Sequence, residues 1–519
     1  MEGFATQSED LSEESMINII LGPPGTGKTT KLLEICQEKK EQGVSWDKIG
    51  FFSFSRKAAN EARERAGSKF QASKDDLIHF RTLHSFAFRH LPVKEDHLMK
   101  QKHWKELSQM IGFNLVFNEN DDSIYTNSNH QYINLINTAR LKDISLEEEC
   151  HNTIEPINMV KLNYLNRVIN KYKELNDLHD FTDMIVNYTN DTFLTQFDVL
   201  FIDEAQDMPR VQYNMVDKLI SHSKETYIAG DDDQAIFRWS GADVDKFISL
   251  EGNVTVLDKS YRCPQRIYRL ANYIITRIRN RRPKTWSPKD NEGRVSRISH
   301  LRHIDLSKGN WLILSRTRKI RNEMVEDFLL QEGYWYGRGD HRPVSTTILN
   351  AIDVWKKLKM GDTVTLVDVK TLYNKIKTRI GVKHGFKTFK KEDEKKLFLL
   401  EDLKNNYGLL VDGEWWEVLS GVSSFDITYL RRLERIGEDI KGEPRIRVST
   451  IHQAKGGECD NVVVLLDLGR LVYKSYLKNP DDEHRVFYVA VTRAKENLYI
   501  VEAQKQQGYR MYSTQLEEE

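Results

Sequence analysis

The chain has 519 residues, of which 39% are apolar and 30% charged, and its 77 basic side chains balance 77 acidic ones. Such a composition is typical of a globular protein and, at roughly 150 residues per domain, suggests three or four domains. No apolar run reaches the ~18 residues that cross a bilayer, and the polar, acidic start of the chain does not resemble a signal peptide. The four cysteines form no CxxC pair, so we expect a cytoplasmic protein without disulfides, a zinc ribbon or membrane contact.

Short apolar strands alternate with helices in the first half of the chain. Residues 16–21 form a strand that runs into GPPGTGKTT, and the following helix stops near Gly43. Further strands are predicted at 48–55, 197–205 and 225–231. The stretch 89–179 interrupts the alternation and is mostly helical in pattern. Alternation of this kind predicts a parallel sheet that binds ligands at the carboxyl ends of its strands.

A second alternating region begins at residue 259. Its predicted strands are 311–317, 445–452, 461–468 and 497–503. Residues 341–442 form a second insertion, in which the stretch 356–397 holds 13 Lys or Arg against 5 Asp or Glu. The sequence therefore predicts two α/β units, each interrupted by an inserted subdomain.

The first glycine-rich turn matches the phosphate-binding pattern GxxxxGK[ST] between a strand and a helix. Its backbone N–H groups and the helix N-terminus favour a bound phosphate, whereas a chance glycine-rich turn would not combine strand, loop and helix. Lys28 is expected to reach the β- and γ-phosphates and Thr29 to ligate Mg²⁺. The expected phosphate-site residues are Gly22, Gly25, Thr26, Gly27, Lys28, Thr29 and Thr30.

The strand in FIDEAQD ends in two carboxylates. We expect Asp203 to hold Mg²⁺ and Glu204 to orient and deprotonate the attacking water. Solvated acids at a strand end are the plainer interpretation, and the phosphate loop favours the catalytic one. Phosphoryl transfer also needs positive charge at the γ-phosphate, for which Arg262 and Arg493 are candidates, although a surface ion pair is the commoner role of a lone arginine.

The segment AGDDDQAIFRWSGAD, residues 229–243, places three aspartates and Gln234 beside two large aromatic side chains. Phe237 and Trp239 are either buried core residues or stacking surfaces for bases, which bind at roughly 1–3 kcal/mol each without base preference. The basic run RIRNRRPK (277–284) and the lysines of 356–397 are either solvated faces or nucleic-acid contacts.

Together these segments resemble the UvrD/Rep/PcrA group of superfamily 1 helicases (subgroup A). The resemblance rests on ordered segments, which are GPPGTGKTT, FFSFSRKAANEARERA, TLHSFA, DFTDMI, FIDEAQD, GDDDQAIFRWSGAD, KSYRCP, VSTIHQAKGGE and RVFYVAVTRAKENL. It implies two RecA-like P-loop domains with ATP between them and single-stranded nucleic acid across their tops. The resemblance implies that domain 1A consists of residues 1–88 and 180–258, with insertion 1B at 89–179 between them. Domain 2A would consist of residues 259–340 and 443–519, with insertion 2B at 341–442 between them.

The resemblance also implies roles for individual residues. Gln234 would sense the γ-phosphate, Tyr261 would stack on adenine, Arg262 and Arg493 would contact the γ-phosphate, and Glu458 would contact the ribose. Gln7 stands at about the distance of an adenine-reading glutamine, although it also fits an acidic tail. The implied nucleic-acid contacts are Phe54, His84, Phe237, Trp239, Thr450 and His452.

The function implied is an ATP-dependent DNA helicase that uses ATP and Mg²⁺ and moves 3′ to 5′ on single-stranded DNA toward duplex junctions. RNA stays open as a track, because stacking and phosphate contacts do not read the 2′-OH. We expect a monomer, encoded by a prokaryote or a phage. The alternatives are a translocase that displaces proteins and needs a partner to unwind, and a nucleotide-switched binding protein without motor activity.

Overall fold

The computed structural model describes residues 16–113, 131–153, 156–192 and 195–512. Within them the strands are β1 Met16–Leu21, β2 Ile49–Ser53, β3 Phe80–Arg81, β4 Phe197–Asp203, β5 Ser223–Gly230, β6 Asn253–Val256, β7 Arg294–Ile298, β8 Trp311–Ser315, β9 Tyr336–Gly337, β10 Val364–Thr365, β11 Leu397–Phe398, β12 Ile446–Thr450, β13 Cys459–Leu465 and β14 Ala494–Val501.

The helices of the same residues are α1 Lys28–Glu41, α2 Arg56–Phe70, α3 Leu83–His90, α4 Gln101–Ile111, α5 Gln131–Lys142, α6 Leu146–Asn152, α7 Met159–Leu175, α8 Phe181–Asn190, α9 Arg210–Ile220, α10 Val244–Ser249, α11 Gln265–Ile275, α12 Arg318–Ile320, α13 Asp327–Glu332, α14 Thr346–Met360, α15 Leu366–Asn374, α16 Leu400–Asn406, α17 Trp415–Val418, α18 Ser424–Ile436, α19 Arg470–Lys478 and α20 Pro480–Val491. A π-helical stretch, Arg321–Glu326, joins α12 to α13.

The chain folds into two compact units. The first unit consists of Met1–Gly293 and Leu471–Arg493, and the second of Arg294–Arg470 and Ala494–Glu519. Each contains a six-stranded sheet in which every pairing is parallel. The predicted fold class, two parallel α/β units, is therefore confirmed, while the domain boundaries drawn from the motifs stay predictions.

The sheet of the first unit has the order β3-β2-β4-β5-β1-β6. Helices α1 and α2 cover one face and bury Leu32 and Phe201, whereas α3, α8 and α9 cover the other and bury Ile202. Because the strands are parallel, their carboxyl ends meet at one edge, where Leu21 lies opposite Gly230. The phosphate loop and the carboxylates that follow β4 and β5 are therefore neighbours.

Two further parts belong to the first unit. Helices α4, α5 and α7 enclose a separate apolar cluster that includes Trp104, Ile136 and Leu165, in agreement with the helical pattern predicted after residue 89. Helix α20 packs against α11. Through this contact α20, and Arg493 just beyond its end, belong to the first unit.

The second unit has the sheet order β7-β14-β13-β8-β12-β9. Helices α14 to α18, with the antiparallel pair β10 and β11, form a further core around Trp355 and Trp415. Nothing in the described ranges is a helix long and apolar enough to span a bilayer.

Candidate functional site

The phosphate loop is closed by its own side chains. Lys28 lies over Gly22, where a Cβ atom would come within 2.0 Å of the lysine Cγ, and its Nζ donates to the Gly22 carbonyl at 3.0 Å. Gly27 precedes α1 with a left-handed φ of 83°, and no side chain caps the helix. The first turn of α1 carries no acidic residue, so its N–H groups and helix dipole favour an anion at this position.

Thr29 and Asp203 are brought together across the sheet edge. The Thr29 hydroxyl donates to Oδ2 of Asp203 at 2.7 Å. Burial, with the neighbouring Glu204 as a second cause, raises the pKa of Asp203 to about 6. The positive charge of Lys28 lowers this pKa only in part, and the carboxylate oxygen beside a hydroxyl oxygen is a pair of ligands that suits a hard cation.

Glu204 directly follows Asp203 but has a different backbone conformation and different partners. It adopts a left-handed φ of 55°, which is uncommon for a residue other than glycine. One carboxylate oxygen lies 3.5 Å from Nζ of Lys28 and the other accepts from Nε2 of Gln206 at 2.6 Å. Gln206, which the sequence analysis did not select, also accepts from the N–H of Asp231 at 3.0 Å. Its place in FIDEAQD was the signal that could have identified it.

The three aspartates after β5 are buried and share one lysine. Lys284 is fully buried, and its Nζ lies 3.1, 2.6 and 2.9 Å from carboxylate oxygens of Asp231, Asp232 and Asp233. Arg281 adds two hydrogen bonds to Asp233, at 2.8 and 2.6 Å. These two members of the basic run RIRNRRPK therefore serve neither of the predicted purposes: they neutralise internal carboxylates rather than meeting solvent or nucleic acid.

Gln234 is held at both ends of its amide. Nε2 donates to Oδ2 of Asp231 at 2.7 Å, and Oε1 accepts from Arg493 at 3.1 Å. A carboxylate can only accept, so Asp231 fixes which end of the amide faces it. The two residues predicted to meet the γ-phosphate, Gln234 and Arg493, are thus in direct contact.

The segment that holds Tyr261 and Arg262 lies against the phosphate loop. The N–H of Tyr261 donates to the Gly25 carbonyl at 2.9 Å, and Ser260 donates to the Pro24 carbonyl at 2.7 Å. A Cβ atom at Gly25 would lie 2.4 Å from Cβ of Arg262, so the glycine is required for this approach. Tyr261 is 75% exposed, so an aromatic side chain is accessible beside the loop.

The aromatic residues of the first unit differ in exposure. Trp239 is 57% exposed, whereas Phe237 is partly buried and its ring centroid lies 6.0 Å from that of Phe54. His84 is buried with its ring edge-on to Phe181 at 5.8 Å, and burial lowers the pKa of its imidazole to about 4. Phe181 itself is exposed and was missed by the sequence analysis, although it lies in DFTDMI.

Comparison with known proteins adds to this geometry. Residues 5–255 match the model of the UvrD/REP helicase N-terminal domain, and residues 353–505 match that of the UvrD-like helicase C-terminal domain. The chain belongs to the UvrD/PcrA-like helicase family.

Several curated UvrD/PcrA-like proteins are similar over part of their length. ATP-dependent DNA helicase PcrA of Bacillus subtilis is 27% identical over 297 residues, which is 53% of this chain and 39% of PcrA. The probable DNA helicase II homolog of Mycoplasma genitalium is 27% identical over 299 residues, covering 52% of this chain and 42% of the relative. PcrA of Staphylococcus aureus strain Mu50 is 26% identical over 313 residues, 56% of this chain and 42% of the relative. The chain thus spans about two fifths of the length of the curated relatives it matches.

The remaining predicted site residues lie elsewhere in this UvrD-like chain. Thr450 ends β12 and donates to Gln453 at 3.2 Å, His452 is partly buried and Glu458 is exposed, all in the second unit. Thr30 is exposed in the first turn of α1, and Gln7 lies outside the described residues. Their roles in binding stay predictions.

Proposed function

We propose that the chain is an ATP-dependent DNA helicase that moves 3′ to 5′ on single-stranded DNA and opens the duplex ahead of it. The observation that carries the proposal is the segment after β5, in which Gln234 contacts Arg493 while Trp239, five residues further on, is exposed. One continuous segment therefore offers a group for a phosphate and a surface for a base. The family to which the chain belongs supports the same function.

The nucleotide part of the proposal uses residues already in contact. Gly22 to Thr29 would surround the phosphates, and Tyr261 would stack on the adenine. Thr29 and Asp203 would hold Mg²⁺, whose chemistry here is to neutralise the negative charge of the phosphates. The fit is supported by the oxygen pair at 2.7 Å and by the raised pKa of Asp203, which positive charge would lower again.

A bound phosphate would replace Glu204 as the partner of Lys28, and Glu204 would then be available to activate water. Lys28 contacts Glu204 at 3.5 Å, and a bound phosphate would compete with that carboxylate for the ammonium group. Glu204 would then accept a proton from water, while Gln206 keeps its carboxylate oriented through the 2.6 Å hydrogen bond. Arg493 and Arg262 would stabilise the charge that develops on the γ-phosphate.

The nucleic-acid part rests on aromatic surfaces rather than on base-reading polar groups. Trp239 is exposed, and Phe54 and Phe237 pack against each other in the same unit. Stacking of this kind tolerates any base sequence, as a motor that moves along a strand requires. His84 and Phe181 form a second aromatic contact whose outer ring is exposed.

The test is ATP-driven unwinding of duplexes that carry a single-stranded tail at either the 3′ or the 5′ end. Lys28→Ala should abolish unwinding and hydrolysis. Lys31→Ala is the matched control, because Lys31 lies on the same helix but is partly exposed and pairs only with Glu34 at 3.6 Å among the ion pairs of the described residues. We expect the control to unwind like the unmodified chain.

Three outcomes distinguish the candidate functions. Unwinding of the 3′-tailed duplex alone supports the proposal, and a preference for the 5′ tail overturns its polarity. Hydrolysis that single-stranded DNA stimulates without any unwinding favours a translocase that needs a partner, which the short insertion 341–442 makes the second candidate. A chain that binds ATP and DNA without stimulated hydrolysis would be a nucleotide-switched binding protein.

A further inference from the structure

The segment 231–240 contains the two groups that a motor must connect. Its first half is the 3₁₀ turn Asp232–Gln234, and its second half is the 3₁₀ turn Arg238–Ser240, which carries Trp239. A change at the phosphate end can reach Trp239 along the backbone, and it is also passed on by a neighbouring element that holds both turns. Helix α20 is that element.

The first half is held by two buried arginines, one in the middle of α20 and one just beyond its end. Arg485 is fully buried and donates Nε to the carbonyl of Asp232 at 2.8 Å. Arg493, just beyond the helix end, donates to Oε1 of Gln234 at 3.1 Å. Both contacts are hydrogen bonds shielded from water, so they tie the phosphate end of the segment to α20 firmly.

The second half is held by an ion pair of a different kind. Nε of Arg238 lies 3.3 Å from Oδ1 of Asp482, in the first turn of α20. Both atoms are shielded from solvent, and among the described residues neither makes a hydrogen bond. The guanidinium is kept in place from the other side by Asp245, through hydrogen bonds of 2.8 and 3.3 Å.

An ion pair that lacks a hydrogen bond is sensitive to small displacements. Its Coulomb energy changes with distance in a region of low dielectric, and a shift of a few tenths of an ångström decides whether a hydrogen bond forms. The contact between Arg238 and Asp482 is therefore the one of the three that responds most to a movement of α20. Because Arg238 directly precedes Trp239, that response is delivered to the exposed ring.

We infer that Arg238 is a positioning residue that, through Asp482, couples the position of α20 to the orientation of Trp239. The inference rests on the proposed function, since it assumes that ATP acts at Gln234 and Arg493 and that a strand binds at Trp239. It assigns Arg238 no contact with either ligand. Its effect is on how strongly nucleotide changes the affinity for single-stranded DNA.

The test compares two substitutions, each of which removes the charge of one of the two carboxylates that flank Arg238. Asp482→Asn removes the charge that α20 presents to Arg238, and with it the 3.7 Å ion pair of the same carboxylate with Arg485. It keeps the size of the side chain and can keep the hydrogen bond that Asn479 donates at 3.1 Å. Asp245→Asn removes the charge on the side away from α20 and is the matched control. For each full-length variant, the Kd for an oligo-dT strand is measured with and without a non-hydrolysable ATP analogue, together with basal ATP hydrolysis.

Coupling between two sites typically amounts to a 5–150-fold change in affinity. We expect Asp482→Asn to reduce the nucleotide-induced change in Kd at least about fivefold, with basal hydrolysis within about twofold of the unmodified chain, and Asp245→Asn to keep most of the coupling. An unaltered coupling factor in Asp482→Asn, or an equal loss in both variants, overturns the role of Arg238. If nucleotide does not alter the affinity of the unmodified chain, the proposed function fails as well, so the two failures are distinguishable.

Discussion

Lys284→Met tests the charge balance under the segment 231–240. The substitution keeps a side chain of similar length but removes the ammonium group that lies within 3.1 Å of three carboxylates. Arg281 would remain on Asp233, which leaves Asp231 and Asp232 without their shared cation. Removing one partner of a buried ion pair typically costs about 3–5 kcal/mol, because the other charge stays buried.

The same cost can be worked out from protonation. Burial raises the pKa of Asp232 even with Lys284 present, so loss of the lysine should raise it further and make the folded chain bind a proton. Protonating one carboxyl of unfolded-state pKa about 3.9 costs about 4 kcal/mol at pH 7 and about 1.5 kcal/mol at pH 5. A folded-state pKa that is raised destabilises at high pH, so the penalty should shrink as the pH falls.

The assay is chemical unfolding of the full chain at pH 7 and pH 5. Lys259→Met is the control, because Lys259 pairs at 3.0 Å with the exposed Asp290 and such a surface pair contributes under about 1 kcal/mol. The reasoning is refuted if Lys284→Met loses no more stability at pH 7 than this control. It is also refuted if the loss is the same at both pH values.

Three further predictions concern the site. Gly25→Ala should weaken ATP binding at least tenfold, because its Cβ would meet Arg262 at 2.4 Å, while Gly27→Ala has a similar left-handed φ but 3.8 Å of room and should lose less. Trp239→Ala should weaken binding of oligo-dT by about 1–3 kcal/mol at each salt concentration tested. His84, with a pKa near 4, stays neutral when folded but takes up a proton below pH 6.5 when unfolded, so the chain should lose about 2 kcal/mol between pH 7 and 5 that His84→Asn does not lose.

Each of these has a result that contradicts it. Equal losses in the two glycine variants would mean that backbone strain, rather than the approach of Arg262, explains the defect in titrations of ATP binding. A Trp239→Ala variant that binds the strand like the unmodified chain, in fluorescence titrations, would return that ring to a structural role. Urea unfolding midpoints that respond to pH identically with and without His84 would show that the imidazole is not buried in its neutral form.

The central strands could be predicted from the sequence because they are buried on both faces. β2, β4 and β8 appear as apolar runs for this reason. The edge strand β6, by contrast, is largely exposed and follows no apolar pattern, and β7 is similar. Neither was predicted, since an edge strand is defined by its neighbour rather than by its own composition.

The site divides in the same way. The phosphate loop is contiguous, so its glycines, Lys28 and Thr29 could be identified within a few residues of sequence. The partnership of Lys284 with three aspartates spans about fifty residues of chain, and a basic run has the same composition whether it is solvated or buried. Only the fold distinguishes the two, which is why the roles of Arg281 and Lys284 within the run RIRNRRPK could not be predicted.

The burial of Asp231 is explained by the orientation that it gives to the Gln234 amide rather than by added stability of the fold. A buried ion network is often no more stable than apolar residues of the same volume, so stability alone gives no reason to bury three carboxylates. An apolar neighbour, however, could not choose between the two ends of the Gln234 amide, whereas Asp231 accepts only from Nε2. The oxygen is thereby left for Arg493. The cost of burying the acids is offset by Lys284, and Asp231 contributes a single orientation of the Gln234 amide.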